Sequence, residues 1–310
     1  MIRKDLKDYN LNSPSIITIG TFDGVHIGHK KIIDQLTSIS SKEQLTSILL
    51  SFFPHPKMVL QNDRDLKLIN TIAEKEELLN NLDLDYLVIK EFTKDFSRLS
   101  ALEFVRDILV NKLNAKHIII GYDHHFGRNR TANIEQLKEF GLLYDFKVTE
   151  ILAQDINDIA ISSTKIRQAL INGEIQLANK FLGYDYFFNG NVVHGNSIGK
   201  TISFPTANIE VDEPYKLVPK NGVYIVKTII NEKLIFGMMN IGVNPTFDGT
   251  KQSIEIHFLN FNKNIYNKKL TIYMISRIRD KKKFNSVEDL KKQLELDKVS
   301  TLSYIESLNI

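Results

Sequence analysis

SIITIGTFDGVHIGHKKII, Ser15 to Ile33, decides the reading of the first half of the chain. Its opening, SIITIGTF, is a near-continuous apolar run of the kind found in a strand covered on both faces of a sheet. Beyond it, KKIIDQLTSI carries apolar residues at three- and four-residue spacing and predicts a helix. Between them Gly20, Gly24 and Gly28 permit tight turns and close approach of backbone to a ligand. Strand, glycine turn and helix in this order put a helix N-terminus beyond the carboxyl end of a strand, where open parallel sheets bind phosphate. His26 and His29, three residues apart, can both face that phosphate and stabilise charge growing on it. Two solvent-exposed loop histidines are the plainer alternative, and the strand, glycine and helix context favours chemistry.

The pattern repeats outward from this stretch. TSILLSFF, DYLVIKEF, KHIIIGYD and FKVTEIL read as further buried strands, and TIAEKEELLNNL, SALEFVRDILVNKL and NIEQLKEFGLLY as the helices between them. Alternating strands and helices predict βαβ units and a parallel sheet. ISSTKIRQALINGEIQLANKFLG predicts one more helix, capped by Ser162 or Ser163. The loops FFPHP (Phe52–Pro56), GYDHHFGRNR (Gly121–Arg130) and ISSTKIR (Ile161–Arg167) are then expected at one sheet edge. Ser162, Ser163 and Thr164 at a helix start, with Arg167 a turn later, suit the outer phosphates of a nucleotide. Taken alone, ISST reads as a cap and HHFGRNR as a solvated basic loop.

After Gly183 the texture changes. DYFFNGNVVHG, NGVYIVKTIINEKLIFGMMNIG, SIEIHFLNF and KLTIYMISRI are aromatic and β-branched runs broken by Gly, Asn and Pro, with no helical pattern until SVEDLKKQLELD. They predict antiparallel strands in a small closed or partly closed barrel with a terminal helix, the boundary falling near residues 183 to 186. Within this half, HGNSIGKTISFPTAN (His194–Asn208) imitates a Walker A loop but encloses three residues, not four, between Gly195 and Gly199. No strand, loop and α-helix unit surrounds it, so it does not read as a Walker A loop. FPTAN is more telling, because Thr206 and Asn208 alternate along an extended segment and offer hard oxygen ligands suited to Mg²⁺. In SIEIHF, Glu255 and His257 share one face of a strand and Ile254, Ile256 and Phe258 the other. Glu255 fits a proton acceptor, or, from alternation alone, the solvated face of an edge strand.

Composition narrows the classes. The 310 residues, 43% hydrophobic, suffice for two domains with sizeable cores, and a formal net charge of +3 does not demand a polyanionic partner. The absence of cysteine excludes disulfides, thiolate catalysis and Cys-ligated metal. MIRKDLKDYNLNSPS has no apolar signal region and no run approaches a membrane span, so a soluble cytoplasmic protein is expected.

Together GTFDGVHIGH, FFPHP, GYDHHFG and ISSTKIR closely resemble the adenylyltransferase half of bacterial bifunctional riboflavin kinase/FMN adenylyltransferases, members of the HxGH nucleotidyltransferases. GNVVHGNSIGKTISFPTAN, NGVYIV, MMNIGVNPTF, IEIHFLNF and RIRDKKKFNSVEDLKKQ resemble their riboflavin kinase half, so the likeness runs from about residue 14 to 296. The resemblance implies a Rossmann-like α/β nucleotidyltransferase domain over residues 1–183 and a six-stranded antiparallel β-barrel kinase domain with a C-terminal helix over 184–310. Riboflavin would be phosphorylated to FMN, and FMN adenylylated by ATP to FAD, with Mg²⁺. His26 and His29 would stand at the transferring phosphate, and Gly20, Phe22, Asp23, Gly24, Gly28, Ser162, Ser163, Thr164 and Arg167 at the nucleotide. Phe53, His55, Asp123 and Phe126 would meet the flavin of that site. In the barrel, Glu255 would be the general base, Thr206 and Asn208 the metal and phosphate contacts, and Gly195, Gly199 and Lys200 the phosphate cover. Arg277 and Arg279 would lie near the flavin.

The implied partners are riboflavin, FMN and ATP, without nucleic acid or membrane, on a monomer or weak oligomer. His124, Asn129 and Ala132 depart from the family in the first domain, and Tyr184-Asp185, Lys200 and Ser203 around the second. The alternatives are a riboflavin kinase with weak or lost adenylyltransferase activity and a non-catalytic flavin-binding regulator.

Overall fold

A computed structural model describes residues 1–10, 12–61, 65–121, 125–128, 131–151, 161–195, 204–246 and 249–307. They form two compact units, Met1–Leu68 with Ile72–Ser163, and Ile69–Thr71 with Thr164–Ile310.

The first unit is built on six strands, β1 (Ile2–Asp5), β2 (Ser15–Ile19), β3 (Thr46–Phe53), β4 (Tyr86–Glu91), β5 (Ala115–Gly121) and β6 (Lys147–Ile151). They pair in the order β1-β4-β3-β2-β5-β6, parallel throughout. All five residues of β2 are buried, as its apolar run predicts for a central strand. The expected sheet has five strands; β1 adds a sixth at the edge. Its four residues are exposed, so no burial pattern announces it, and backbone pairing of Ile2 with Tyr86 makes it a strand.

The helices are α1 (Ile27–Glu43), α2 (Pro56–Leu60), α3 (Ile72–Leu79), α4 (Ala101–Glu103), which widens into a π-helical segment over Phe104–Lys112, and α5 (Ile134–Tyr144). Ser100 and Glu103 cap each other reciprocally at the start of α4. Because the chain leaves β2 for β3 on one side and returns to β5 on the other, the strand order reverses beside β2. Ligands of parallel sheets bind at such a reversal, beyond the carboxyl ends of the strands.

In the second unit the single helix expected over ISSTKIR and beyond is two, α6 (Ser163–Asn172) and α7 (Ile175–Leu182). Gly173 separates them at φ 81°, and a Cβ there would stand 2.7 Å from the Arg277 Nε. The strands β7 (Phe187–Val193), β8 (Ala207–Val211), β9 (Gly222–Ile230), β10 (Lys233–Thr246), β11 (Gly249–Phe258) and β12 (Lys269–Arg279) close into a barrel in the order β10-β11-β8-β7-β12-β9. Pairings are antiparallel, and bulges between Met274 and Ser276 and between Arg277 and Arg279 re-aim the end of β12.

The terminal helix α8 (Val287–Ser307) is fastened by Leu290 and Leu294 against Phe204 and Met238. Arg279 also grips it, its guanidinium lying 2.6 Å from Asp297, a carboxylate only 2% exposed. Lys216, buried, binds the segment Ile69–Thr71 into this unit by donating to the carbonyls of Ile69 and Phe187 at 2.6 and 2.7 Å.

Candidate active sites

The first site lies where β2 gives way to α1. His26 is the N-cap of α1, in extended conformation, and its Nδ1 accepts the backbone N–H of His29 at 3.3 Å. The two imidazoles stack with centroids 3.6 Å apart and 16° from parallel, and Phe22 backs His29 at 4.5 Å. The turn that produces this arrangement is strained, with Phe22 at φ 46°, Gly24 at 93° and Val25 at 37°. Asp23 is buried, and its carbonyl accepts the Ser163 hydroxyl at 2.7 Å. Gly28 is buried in the first turn of α1. Thr164 is exposed and Arg167 half-buried further along α6, and Ser162 precedes that helix.

Burial dominates the protonation of the pair. It pushes His26 down to about 4, against a partial opposing effect of Asp23. His29 lies well below the ordinary imidazole value, first by burial and then through His26 and Lys75. Both rings are neutral at pH 7. As pH falls through about 6.5 the unfolded chain takes up protons that the folded site refuses until about 4. Acidification through that window therefore removes stability. In an NMR titration of the unliganded protein, the His26 ring protons should inflect near 4. An inflection near the unperturbed value of about 6.5 would contradict the buried, stacked geometry.

The flavin positions implied for this unit are placed as follows. Phe53 ends β3, and the next residue, Pro54, follows a cis peptide bond. His55 caps α2, its Nδ1 accepting the N–H of Lys57. Phe126 is buried among core aromatics, 6.1 Å from Phe104, and its backbone pairs with Ala132. Asp123, with His124 and Asn129, lies outside the described residues.

Lys75 was not foreseen. On α3 the inward stripe is Glu74, Lys75, Leu78 and Leu79, so a helix with the expected apolar spacing buries two charged residues in that stripe. Lys75 reaches beneath the glycine turn, where its ammonium donates to the Thr21 carbonyl at 2.6 Å. The available signal was the occurrence of Glu74 and Lys75 at positions where the helical period calls for apolar side chains.

The second site forms on β8 and β11. Glu255 pairs across the barrel wall with Asn208 on one side and Asn240 on the other. The Thr206 hydroxyl stands 3.5 Å from a Glu255 carboxylate oxygen, so residues 49 positions apart converge. Ile254, Ile256 and Phe258 are buried and Glu255 and His257 half-buried, the alternation expected of this strand. His257 approaches the Pro205 carbonyl at 2.9 Å and packs 5.0 Å from Phe204, which fixes the FPTAN segment against β11. Its spacing with Glu255 was legible, its partner was not. Gly195 lies against the Asn208 amide, where a Cβ would come within 2.0 Å of Nδ2. Gly199, Lys200 and Ser203 lie outside the described residues.

Arg277 and Arg279 are engaged within the protein. Arg277 donates to the Tyr224 hydroxyl, the Asn221 carbonyl and Asp280, and Arg279 holds Asp297 through both carboxylate oxygens. Of the family departures, Tyr184 donates to Asn70 at 3.3 Å and Asp185 pairs with Lys227 at 2.7 Å.

A stacked HxGH pair at a helix start on a parallel sheet, and a separate cluster of hydroxyl, amide and carboxylate on a closed barrel, define a two-site phosphate-transfer protein. The family model described as FAD synthetase matches residues 8–165, and that described as riboflavin kinase matches 182–305. A bifunctional riboflavin kinase/FMN adenylyltransferase from Buchnera aphidicola subsp. Schizaphis graminum is 40% identical over 292 residues, 93% of each chain. The protein of that name from Listeria monocytogenes is 39% identical, over 94% of this chain and 93% of its own. A crystal structure described as a macrolide-efflux protein from Streptococcus pneumoniae has a TM-score of 0.89 at 34% identity, covering 97% of this chain and 99% of the other. Among the described residues no helix is long and apolar enough to cross a membrane. The chain belongs to the bifunctional riboflavin kinase/FMN adenylyltransferase family.

Proposed function

We propose that this chain phosphorylates riboflavin to FMN in its barrel and transfers AMP from ATP to FMN in its parallel-sheet unit, yielding FAD and pyrophosphate. Matches to both family models, in order on one chain, carry this reading. They favour two activities over a kinase alone or a flavin-binding regulator. The adenylyltransferase is assigned to residues 1–183 and the kinase to 184–310, in a cytoplasmic monomer or weak oligomer acting on small molecules, not nucleic acid or membranes.

In the kinase reaction the ribityl 5′-hydroxyl attacks the γ-phosphorus of ATP and ADP leaves. Glu255 accepts the hydroxyl proton, and Asn208 and Thr206 orient the phosphates. The hard oxygens of Thr206 and Asn208, which adjoin Glu255 across the wall, suit Mg²⁺. Bound there with ATP, the metal would neutralise phosphate charge. Gly195, Gly199 and Lys200 cover the phosphates, Lys200 as a point charge, and Arg277 and Arg279 shape the flavin side of the barrel.

In the adenylylation a phosphate oxygen of FMN attacks the α-phosphorus of ATP and pyrophosphate leaves, with no protein nucleophile. His26 and His29 donate N–H groups to the transferring phosphate, aided by the positive end of α1. Gly20, Phe22, Asp23, Gly24 and Gly28 shape the nucleotide cradle. Ser162, Ser163, Thr164 and Arg167 take the outer phosphates, and Phe53, His55, Asp123 and Phe126 the flavin.

Incubation of the full chain with riboflavin, ATP and Mg²⁺ should give FMN and then FAD by chromatography, with pyrophosphate released in the second step. No FMN with any divalent metal would defeat the proposal, and FMN that never becomes FAD would leave the kinase alone.

A further inference from the structure

We propose that Lys75 is a positioning residue for adenylyl transfer, its buried ammonium holding the Thr21–Val25 turn in the conformation that aims the His26 and His29 rings. This inference rests on the adenylyltransferase reading above. Lys75 is 5% exposed, and its Nζ donates to the Thr21 carbonyl at 2.6 Å and approaches the Ser51 hydroxyl at 3.4 Å. The Ser51 hydroxyl also reaches that carbonyl, at 3.3 Å, so β3 and α3 converge on one backbone oxygen. The next residues leave ordinary backbone space: Phe22 and Val25 take positive φ, which is costly for bulky and β-branched side chains and persists only where surroundings over-determine it. A charge-assisted hydrogen bond at the head of the turn supplies such a constraint.

The turn in turn sets His29. Its buried Nδ1 has no hydrogen-bond partner among the described residues, so no polar contact at that atom fixes the ring. Stacking between Phe22 and His26 does so instead. Phe22 belongs to the strained turn and His26 follows it directly, so a turn that relaxes turns the imidazole with it. An ammonium is expensive to bury, and an apolar side chain in this stripe of α3 would pack more cheaply. Asp23, in the same turn, supplies the opposing charge.

The test compares wild type, Lys75→Met and Lys75→Arg as full chains. FAD formation from supplied FMN is measured for kcat and KM, with riboflavin phosphorylation on the same preparations as the fold control. In parallel, the Cε1–H NMR resonances of His26 and His29 are recorded without ligand. Lys75→Met should lower adenylylation kcat about 30-fold, as expected for a misplaced catalytic group, with smaller changes in KM and unchanged kinase activity. Its histidine resonances should move toward those of unstacked imidazole, and Lys75→Arg should recover most of both. Wild-type FAD rates with unmoved resonances in Lys75→Met would overturn the proposal. So would equal loss of both activities without recovery in Lys75→Arg, which would assign Lys75 to folding. Should Lys75→Met not fold, the arginine variant decides: histidine resonances near wild type support positioning, and displaced resonances with full FAD activity refute it. Absence of FAD with wild type would instead defeat the functional reading, and the resonances would still report on Lys75.

Discussion

Glu255→Gln should lower riboflavin phosphorylation by about 10²- to 10⁴-fold, the usual worth of a general base, while the same chain still converts supplied FMN to FAD. The substitution is nearly isosteric, and the amide oxygen can still accept from the Thr206 hydroxyl that now stands 3.5 Å away. Cross-strand pairing of residue 255 with Asn208 and Asn240 uses backbone positions and survives. What disappears is the negative charge and the ability to take a proton. Glu255 is half-buried on the outer face of its strand, so the change leaves the apolar interior of the barrel intact. The measurement is kcat at saturating riboflavin and ATP, beside FAD formation by the same preparation. A variant retaining more than about a tenth of the wild-type rate would reduce Glu255 to an orienting contact. Equal loss of both activities would speak against separate sites.

His29→Ala is the counterpart in the other unit, expected to raise the adenylylation barrier by roughly 3 kcal/mol, about a hundredfold in rate, if the imidazole supports transition-state charge as an oxyanion donor does. His29 is a cleaner probe than its neighbour. The His26 side chain caps α1, so its removal would also destabilise the helix by about 1 kcal/mol and mix folding with chemistry. His29 contributes only its backbone N–H to that cap, which alanine keeps. Kinase activity, residing in the barrel, is the internal control. An unchanged rate of FAD formation would make His29 a packing element between Phe22 and His26.

Much of this was legible in the chain because the relevant signals are local. The βαβ order, the glycine turn before α1, the barrel texture after Gly183 and the alternation of SIEIHF all follow from short-range periodicity and turn chemistry. The family likeness added the reactions and the roles of the site residues. Other features had no local signal. β1 is exposed along its length, and the Arg277 side chain that a Cβ at Gly173 would meet comes from 104 residues away. The likeness puts Arg277 and Arg279 near the flavin, but no local pattern announces that their guanidinium groups are bound to Asp280, Tyr224 and Asp297.

By itself the sequence determined two domains, a parallel sheet with an HxGH turn at the start of a helix, and a β-rich half whose informative segment is FPTAN with Glu255. Periodicity and glycine placement act over a few residues, and such information survives in one dimension. Tertiary structure alone decided that Thr206 meets Glu255, that His257 pins Pro205, and that Lys75 turns inward beneath Thr21. Those facts depend on which strands pair and which helix face is buried. A buried ammonium and a solvated one are the same letter until the sheet is assembled around them.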